Sequence, residues 1–182
     1  MRKIDEYRVK EIAYVRYLDG DASALDEIAK EYFPILIAFL RRMVGSVEDA
    51  EDLAADTLLV LLTHKEKYAF RSSLKTFLMA IAKNKAYDYM RKKRLGSFDD
   101  SFYESHSSSS PEKTILDQEY YHEIWKSIHS LKRDQQMALY LIAVEGMTYE
   151  AVAGVMKKSQ SNVKVLVHRA REKLKKERTE LL

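Results

Sequence analysis

The chain has 182 residues, of which 46% are hydrophobic and 32% are charged, and its formal net charge is +3. This composition is sufficient for one ordinary domain or two small ones with packed cores, and it excludes an intrinsically disordered chain. The chain contains no cysteine, which excludes a disulfide framework, a thiolate metal site and a thiol nucleophile, and suits a reducing cytoplasm.

The first third of the chain predicts helices and no membrane segment. Residues 1–17 alternate charged and apolar side chains, so they do not resemble a signal peptide. The longest apolar run, residues 33–40, contains Pro34 and is far shorter than the roughly 20 residues of a membrane span, so we expect no membrane insertion. Apolar residues at helical spacing predict a helix over residues 22–44, kinked at Pro34 and ended by Gly45.

The next segments predict two helices separated by a loop. Ser46 and Asp49 have the spacing of a capping box, and the helix that follows is predicted to bury Ala50, Leu53, Thr57 and Leu61. Residues 65–73 break the periodicity and predict a loop. A helical stripe then resumes at residue 74 and enters a basic segment, residues 83–94, with six bases against one acid.

A boundary between two domains is predicted after this basic segment. Residues 95–110 are serine-rich, acidic and aperiodic, a composition typical of a flexible linker. Ser110 and Pro111 then predict the start of another helix, whose apolar positions continue to Leu131. We therefore predict an all-α protein with a first domain over residues 1–94, a linker over 95–110 and a second domain over 111–182.

The end of the second domain predicts a helix-turn-helix. Thr148 is placed to cap a short helix that buries Val152, Ala153, Val155 and Met156, and Ser159 is placed to cap a longer one that buries Val163, Val167, Ala170 and Leu174. A brief turn is predicted between the two helices. The outward residues of the longer helix are Gln160, Asn162, Lys164, His168, Arg169 and Arg171. Amide and guanidinium groups on such a face suit the major groove of DNA, although a basic helix hairpin without a DNA role has the same pattern.

Three motifs together carry a family resemblance. They are AEDL at residues 50–53, IAKNKAYDYMRKKR at 81–94 and HRAREKL at 168–174. In this order and with a polar linker between the second and third, they resemble domains two and four of the extracytoplasmic-function sigma factors of the sigma-70 family. The resemblance implies a promoter-recognition subunit of bacterial RNA polymerase, with a helical domain two and a helix-turn-helix domain four.

The resemblance also implies site residues in domain two. Contact with a coiled coil of the largest subunit of the polymerase core is implied for Asp49, Glu51, Asp52, Leu53 and Asp56. Contact with the melted minus-ten promoter element is implied for Lys67, Tyr68, Phe70, Arg71, Asn84, Lys85, Tyr87, Arg91 and Lys92. Tyr68 and Phe70 are expected to stack on or wall off an unstacked base, although aromatic residues in a short loop also serve as anchors to the core.

In domain four, contact with the minus-thirty-five element is implied for Ser159, Gln160, Asn162, Lys164, His168, Arg169 and Arg171. The implied partners are the polymerase core, including the flap of its second-largest subunit, promoter DNA and an anti-sigma factor that holds the protein at the membrane. None of the five histidines lies in a known metal motif and the scattered glycines form no phosphate loop, so we predict no metal, no cofactor and no catalytic residue. The alternatives are an autonomous helix-turn-helix regulator that binds an operator as a dimer and a helical interaction protein without DNA affinity.

Overall fold

The computed structural model describes residues 7, 11–96, 127–128 and 130–180, and every regular element within these residues is a helix. The chain divides into two compact units, Met1–His106 and Ser107–Leu182. The predicted fold class, an all-α protein with two small helical domains, is therefore confirmed. The predicted linker lies outside the described residues except at its start, because the last helix of the first unit continues to Gly96. The helix start predicted at Ser110 also lies outside them.

Among its described residues, the first unit has four α-helices and one short turn of 3-10 helix. They are α1 (Ile12–Leu18), α2 (Ser23–Val44), α3 (Val47–Thr63), the 3-10 turn (Lys65–Lys67) and α4 (Leu74–Gly96). Helix α1 was not predicted from the sequence. Helix α2 is continuous through Pro34, which is exposed, so the helical prediction is confirmed for this segment.

The core of the first unit is built by α2, α3 and α4 with one residue from α1. Its fully buried large side chains include Tyr14, Ile28, Leu36, Phe39, Leu40, Leu61, Leu78 and Met79. Burial of each aliphatic or aromatic side chain of this size contributes about 1.5–3 kcal/mol. On α3 the buried residues are Ala50, Ala54, Thr57 and Leu61. The prediction that Leu53 belongs to this buried set is wrong, since Ala54 takes the inner position and Leu53 is half-buried.

An ion-pair cluster fixes α1 against the start of α2. The Arg16 guanidinium contacts Asp21 Oδ2 at 2.5 Å and Glu27 Oε1 at 2.8 Å. Asp21 also accepts hydrogen bonds from the hydroxyl and the backbone N–H of Ser23. The Ser23 hydroxyl and the Arg16 guanidinium together lower the pKa of Asp21 to about 2. The position of α1 is thus set by side chains close to the turn that follows it.

The second unit contains α5 (Arg133–Ala143), α6 (Tyr149–Met156) and α7 (Gln160–Glu180). Its core is formed by Leu131, Ala138, Leu141, Met147, Val152, Val155, Met156, Val163, Val167 and Ala170. The predicted inner faces of α6 and α7 are confirmed except at Ala153 and Leu174, which are half-buried. Helices α6 and α7 form the predicted helix-turn-helix.

Candidate functional site

Helix α3 presents an acidic surface. Its first turn is capped by Ser46, whose Oγ accepts the Asp49 N–H at 3.2 Å, as predicted. Glu51, Asp52 and Asp56 are exposed, whereas Asp49 and Leu53 are half-buried. Among the described residues, none forms a hydrogen bond or ion pair with Asp52. The structure therefore brings three of the five predicted core-binding residues fully to the surface.

The same surface contains an apolar residue that the sequence analysis missed. Leu59 is 51% exposed. Leu59 follows Asp52 by seven residues and Asp56 by three, a spacing that places all three on one face of the helix. That spacing is the signal that could have identified Leu59. An exposed leucine beside two carboxylates is the composition of a protein contact rather than of a purely solvated face.

Two side-chain links join this acidic surface to helix α4. Lys85 Nζ lies 3.0 Å from Asp56 Oδ2. The Tyr89 hydroxyl donates to Asp49 Oδ2 at 2.5 Å and accepts from Lys93 Nζ at 3.0 Å. Burial and the Asp49 carboxylate raise the pKa of Tyr89, so the phenol stays protonated as the donor. One predicted DNA contact, Lys85, thus pairs with one predicted polymerase contact, Asp56.

The outward face of α4 carries four of the nine predicted minus-ten residues. Asn84, Tyr87, Arg91 and Lys92 are exposed. The spacings of three and four residues place Asn84, Tyr87 and Arg91 on one stripe, and Lys92 lies beside it. Arg91 forms an ion pair with Asp88, one turn earlier on the helix, at 2.9 Å. Lys83, which was counted in the basic segment, is 7% exposed, so that segment supplies fewer surface charges than its sequence suggests.

The loop between α3 and α4 is organised around an aromatic cluster. The Tyr68 ring contacts the rings of Tyr14, Phe70 and Phe77 at centroid distances of 5.1, 4.8 and 5.2 Å. Tyr68 is only 4% exposed, and its hydroxyl donates to the Ser72 carbonyl at 2.7 Å. Burial is the largest cause of the raised pKa of this hydroxyl. This burial contradicts the prediction that Tyr68 stacks on a base, because almost none of its surface is accessible to one.

The remaining predicted residues of the loop are accessible. Lys67 and Arg71 are exposed and Phe70 is half-buried. Phe70 has φ 53°, a left-handed conformation that a bulky side chain adopts only when its surroundings impose it. Backbone outliers of this kind cluster at ligand-binding positions. The loop thus offers one strained aromatic residue between two cations.

The helix-turn-helix has the caps and the turn that were predicted. Thr148 Oγ1 accepts the Ala151 N–H and Ser159 Oγ accepts the Asn162 N–H, both at 3.2 Å. Between the helices, Lys157 adopts φ 54° and ψ 44°, the left-handed conformation. All seven residues predicted to contact the minus-thirty-five element are exposed: Ser159, Gln160, Asn162, Lys164, His168, Arg169 and Arg171. An exposed helix face with this composition can pair with base edges and phosphates.

The described residues were also searched for metal sites and membrane spans. They hold no group of three or more histidine or carboxylate side chains arranged to bind a metal ion. No described helix combines the length and the apolar character that crossing a bilayer requires.

Comparisons with known proteins agree for both units. A family model described as Sigma-70 region 2 matches residues 28–95, and one described as Sigma-70, region 4 matches residues 121–174. The chain is 29% identical over 152 residues to the ECF RNA polymerase sigma factor SigX of Bacillus subtilis, covering 80% of this chain and 78% of the relative. It is 30% identical over 142 residues to the ECF RNA polymerase sigma factor EcfG of Rhodopseudomonas palustris, covering 78% and 77%.

A solved structure is similar as well. It is the sigma factor RpoE of Bartonella quintana in complex with the anti-sigma factor NepR, with a TM-score of 0.67 and 26% identity over 85% of this chain and 96% of that chain. The similarity thus extends over both helical units.

Proposed function

Because the chain belongs to the extracytoplasmic-function group of the sigma-70 family, and so directs RNA polymerase core to promoters, we propose specific surfaces for each of its contacts. The first unit would serve as domain two and the second as domain four, with residues 95–110 as the linker. Sigma factors assist initiation without catalysing a reaction, and we infer the same for this chain. We propose that it works in the cytoplasm, where it would meet the polymerase.

We propose that the exposed face of α3 binds the polymerase core. The contact would centre on Asp52 and Leu59, with Glu51 and Asp56 beside them. The exposed Leu59, with the exposed Asp52 on the same helix face, supports this assignment. Acids in a first helical turn are also explained by the helix dipole, but Asp52 and Asp56 lie beyond that turn. Asp49 is committed to Tyr89 and would instead hold α3 and α4 together.

We propose that the loop and α4 bind the melted minus-ten element as single strand. Phe70 would stack on an unpaired base, and Lys67 and Arg71 would contact neighbouring phosphates. Asn84, Tyr87, Arg91 and Lys92 would continue this path along the outward face of α4. Tyr68 would support Phe70 from beneath, since its ring is buried against it. Lys85 would reach DNA only by leaving Asp56.

We propose that α7 reads the minus-thirty-five element in the major groove. The observation that carries the assignment is the full exposure of its polar and basic face above a buried apolar seam. Gln160, Asn162 and Arg171 are suited to base edges, and Lys164 is suited to phosphates. An anti-sigma factor is a further proposed partner, supported by the anti-sigma complex of the similar Bartonella protein.

The test is a pair of titrations of the full chain against promoter DNA, with and without core polymerase, in which a base-analogue fluorophore reports strand opening. We expect wild-type protein to bind duplex weakly alone and to open the promoter with core. Asp52→Arg should abolish opening because it reverses a charge at the centre of the proposed core contact. Asp19→Arg, a charge reversal at the exposed end of α1, should leave opening unchanged.

Two results would contradict the proposal. Tight binding of duplex DNA at symmetric half-sites without core, and without opening, is the behaviour of an autonomous dimeric regulator. Equal effects of Asp52→Arg and Asp19→Arg on opening would remove α3 as the polymerase contact.

A further inference from the structure

Helix α1 touches the loop between α3 and α4 at its beginning, middle and end. At the beginning, the Tyr14 hydroxyl donates to the Lys65 carbonyl at 2.9 Å. In the middle, the Tyr14 ring lies 5.1 Å from the Tyr68 ring and 5.9 Å from the Phe70 ring. At the end, Glu11 Oε1, just before α1, accepts the Leu74 N–H at 2.8 Å. Neither Glu11 nor Tyr14 belongs to the contact surfaces proposed above.

The contact made by Glu11 is a helix cap supplied from a distant part of the chain. Leu74 is the first residue of α4, and its N–H has no partner inside the helix. Two residues further on, the Thr76 N–H is accepted by Ser73 Oγ at 3.2 Å. Glu11 therefore caps the first N–H of α4 from a position 63 residues earlier, at the point where the loop becomes helix.

The contacts made by Tyr14 bear on the strained residue of the loop. Tyr14 is 0% exposed, and its ring packs against those of Tyr68 and Phe70. The left-handed conformation of Phe70 is unfavourable for a bulky side chain and persists only where neighbouring groups impose it. Tyr14 is one of those groups, and its bond to Lys65 prevents the loop start from relaxing away.

We infer that Glu11 and Tyr14 are positioning residues that hold the loop in a base-accepting conformation before DNA arrives. This inference rests on the proposed role of Phe70 in capturing a base. A pre-organised loop loses less conformational entropy on binding, so the unpaired base is bound more tightly. Neither residue contacts DNA in this scheme, and their effect reaches the base only through Phe70.

The test uses full-length protein in holoenzyme with fork-junction promoter DNA whose non-template bases are replaced one at a time by abasic sites. In wild type, an abasic site at one position should weaken binding at least about fivefold, the effect of losing one base stack. Phe70→Ala should abolish this abasic penalty. Tyr14→Phe removes only the hydroxyl and Glu11→Ala removes the cap, and each should weaken binding of intact DNA about fivefold while leaving the abasic DNA unaffected.

The controls separate the possible failures. Glu11→Gln keeps an oxygen acceptor and should restore the penalty, and Ile12→Ala, at a residue 63% exposed on the same helix, should behave as wild type. If no position shows a penalty in wild type, the proposed capture by Phe70 is wrong. If wild type and Phe70→Ala behave as expected but Tyr14→Phe keeps the full penalty, the positioning role is wrong. Should Glu11→Ala fail to fold, the abasic penalties of Tyr14→Phe and Glu11→Gln decide whether the positioning role holds.

Discussion

The turn of the helix-turn-helix contains a removable strain at Lys157. This residue has φ 54° and ψ 44°, and the left-handed conformation costs a residue with a Cβ roughly 1–2 kcal/mol. Glycine avoids that cost, but it adds conformational freedom to the unfolded chain, which offsets about 0.4–1 kcal/mol of the gain. Lys157→Gly should therefore raise the free energy of unfolding of the second unit by about 0.5–1 kcal/mol, which corresponds to roughly 2–8 °C in Tm for a domain of this size.

The assay is differential scanning calorimetry of the full chain. Lys157 is exposed and its own N–H and that of Lys158 bond back to the end of α6, so the substitution leaves these bonds in place. Glu172→Gly, in the exposed interior of α7, is the matched control and should lower stability by about 1 kcal/mol. If Lys157→Gly lowers Tm to the same extent as Glu172→Gly, the left-handed turn is not a source of strain and the reasoning fails.

Three further predictions concern charge. Burial raises the pKa of Glu11 above 4.5, the Leu74 N–H opposes this increase, and Glu31 adds to it. The stability contributed by protonated Glu11 is therefore complete below pH 4.5 and is lost as pH rises through the higher pKa of the folded state. Melting curves of Glu11→Gln at several pH values should lack this loss, and parallel pH profiles of the two proteins would contradict the prediction. A double-mutant cycle on Lys85 and Asp56 should give a coupling of about 0.2–1 kcal/mol that shrinks in high salt, measured by urea unfolding, whereas salt-independent coupling would exclude an ion pair. Arg171→Ala should either lower the salt slope of promoter binding by roughly one or relax the base preference at one position. Titrations of altered promoters at several salt concentrations measure both quantities. If neither the slope nor the preference changes, Arg171 does not belong to the interface.

The parts of the fold that depend on local sequence could be predicted. The caps at Ser46, Thr148 and Ser159 each involve an N–H only three residues ahead, so residue type and spacing were sufficient. The exposed face of α7 followed from helical periodicity for the same reason.

The parts that depend on distant residues could not be predicted. Tyr68 was interpreted as a base-stacking residue, but its environment is built by Tyr14 and Phe77, which no local pattern connects to it. The pairing of Lys85 with Asp56 joins residues 29 apart, and periodicity gave only their separate helices. Helix α1 itself was missed because its short amphipathic segment acquires its partners only in the folded unit.

The joint between α2 and α3 tolerates little change in chain length. Only Gly45, with φ 89°, and the capping residue Ser46 separate the two helices, so this connection has no slack. One inserted residue would displace either the cap or the left-handed glycine, and within a helix it would turn every following side chain by about 100°. Insertions and deletions among related sequences should therefore be rare at this joint, which keeps the acidic face of α3 in register with the core of the first unit.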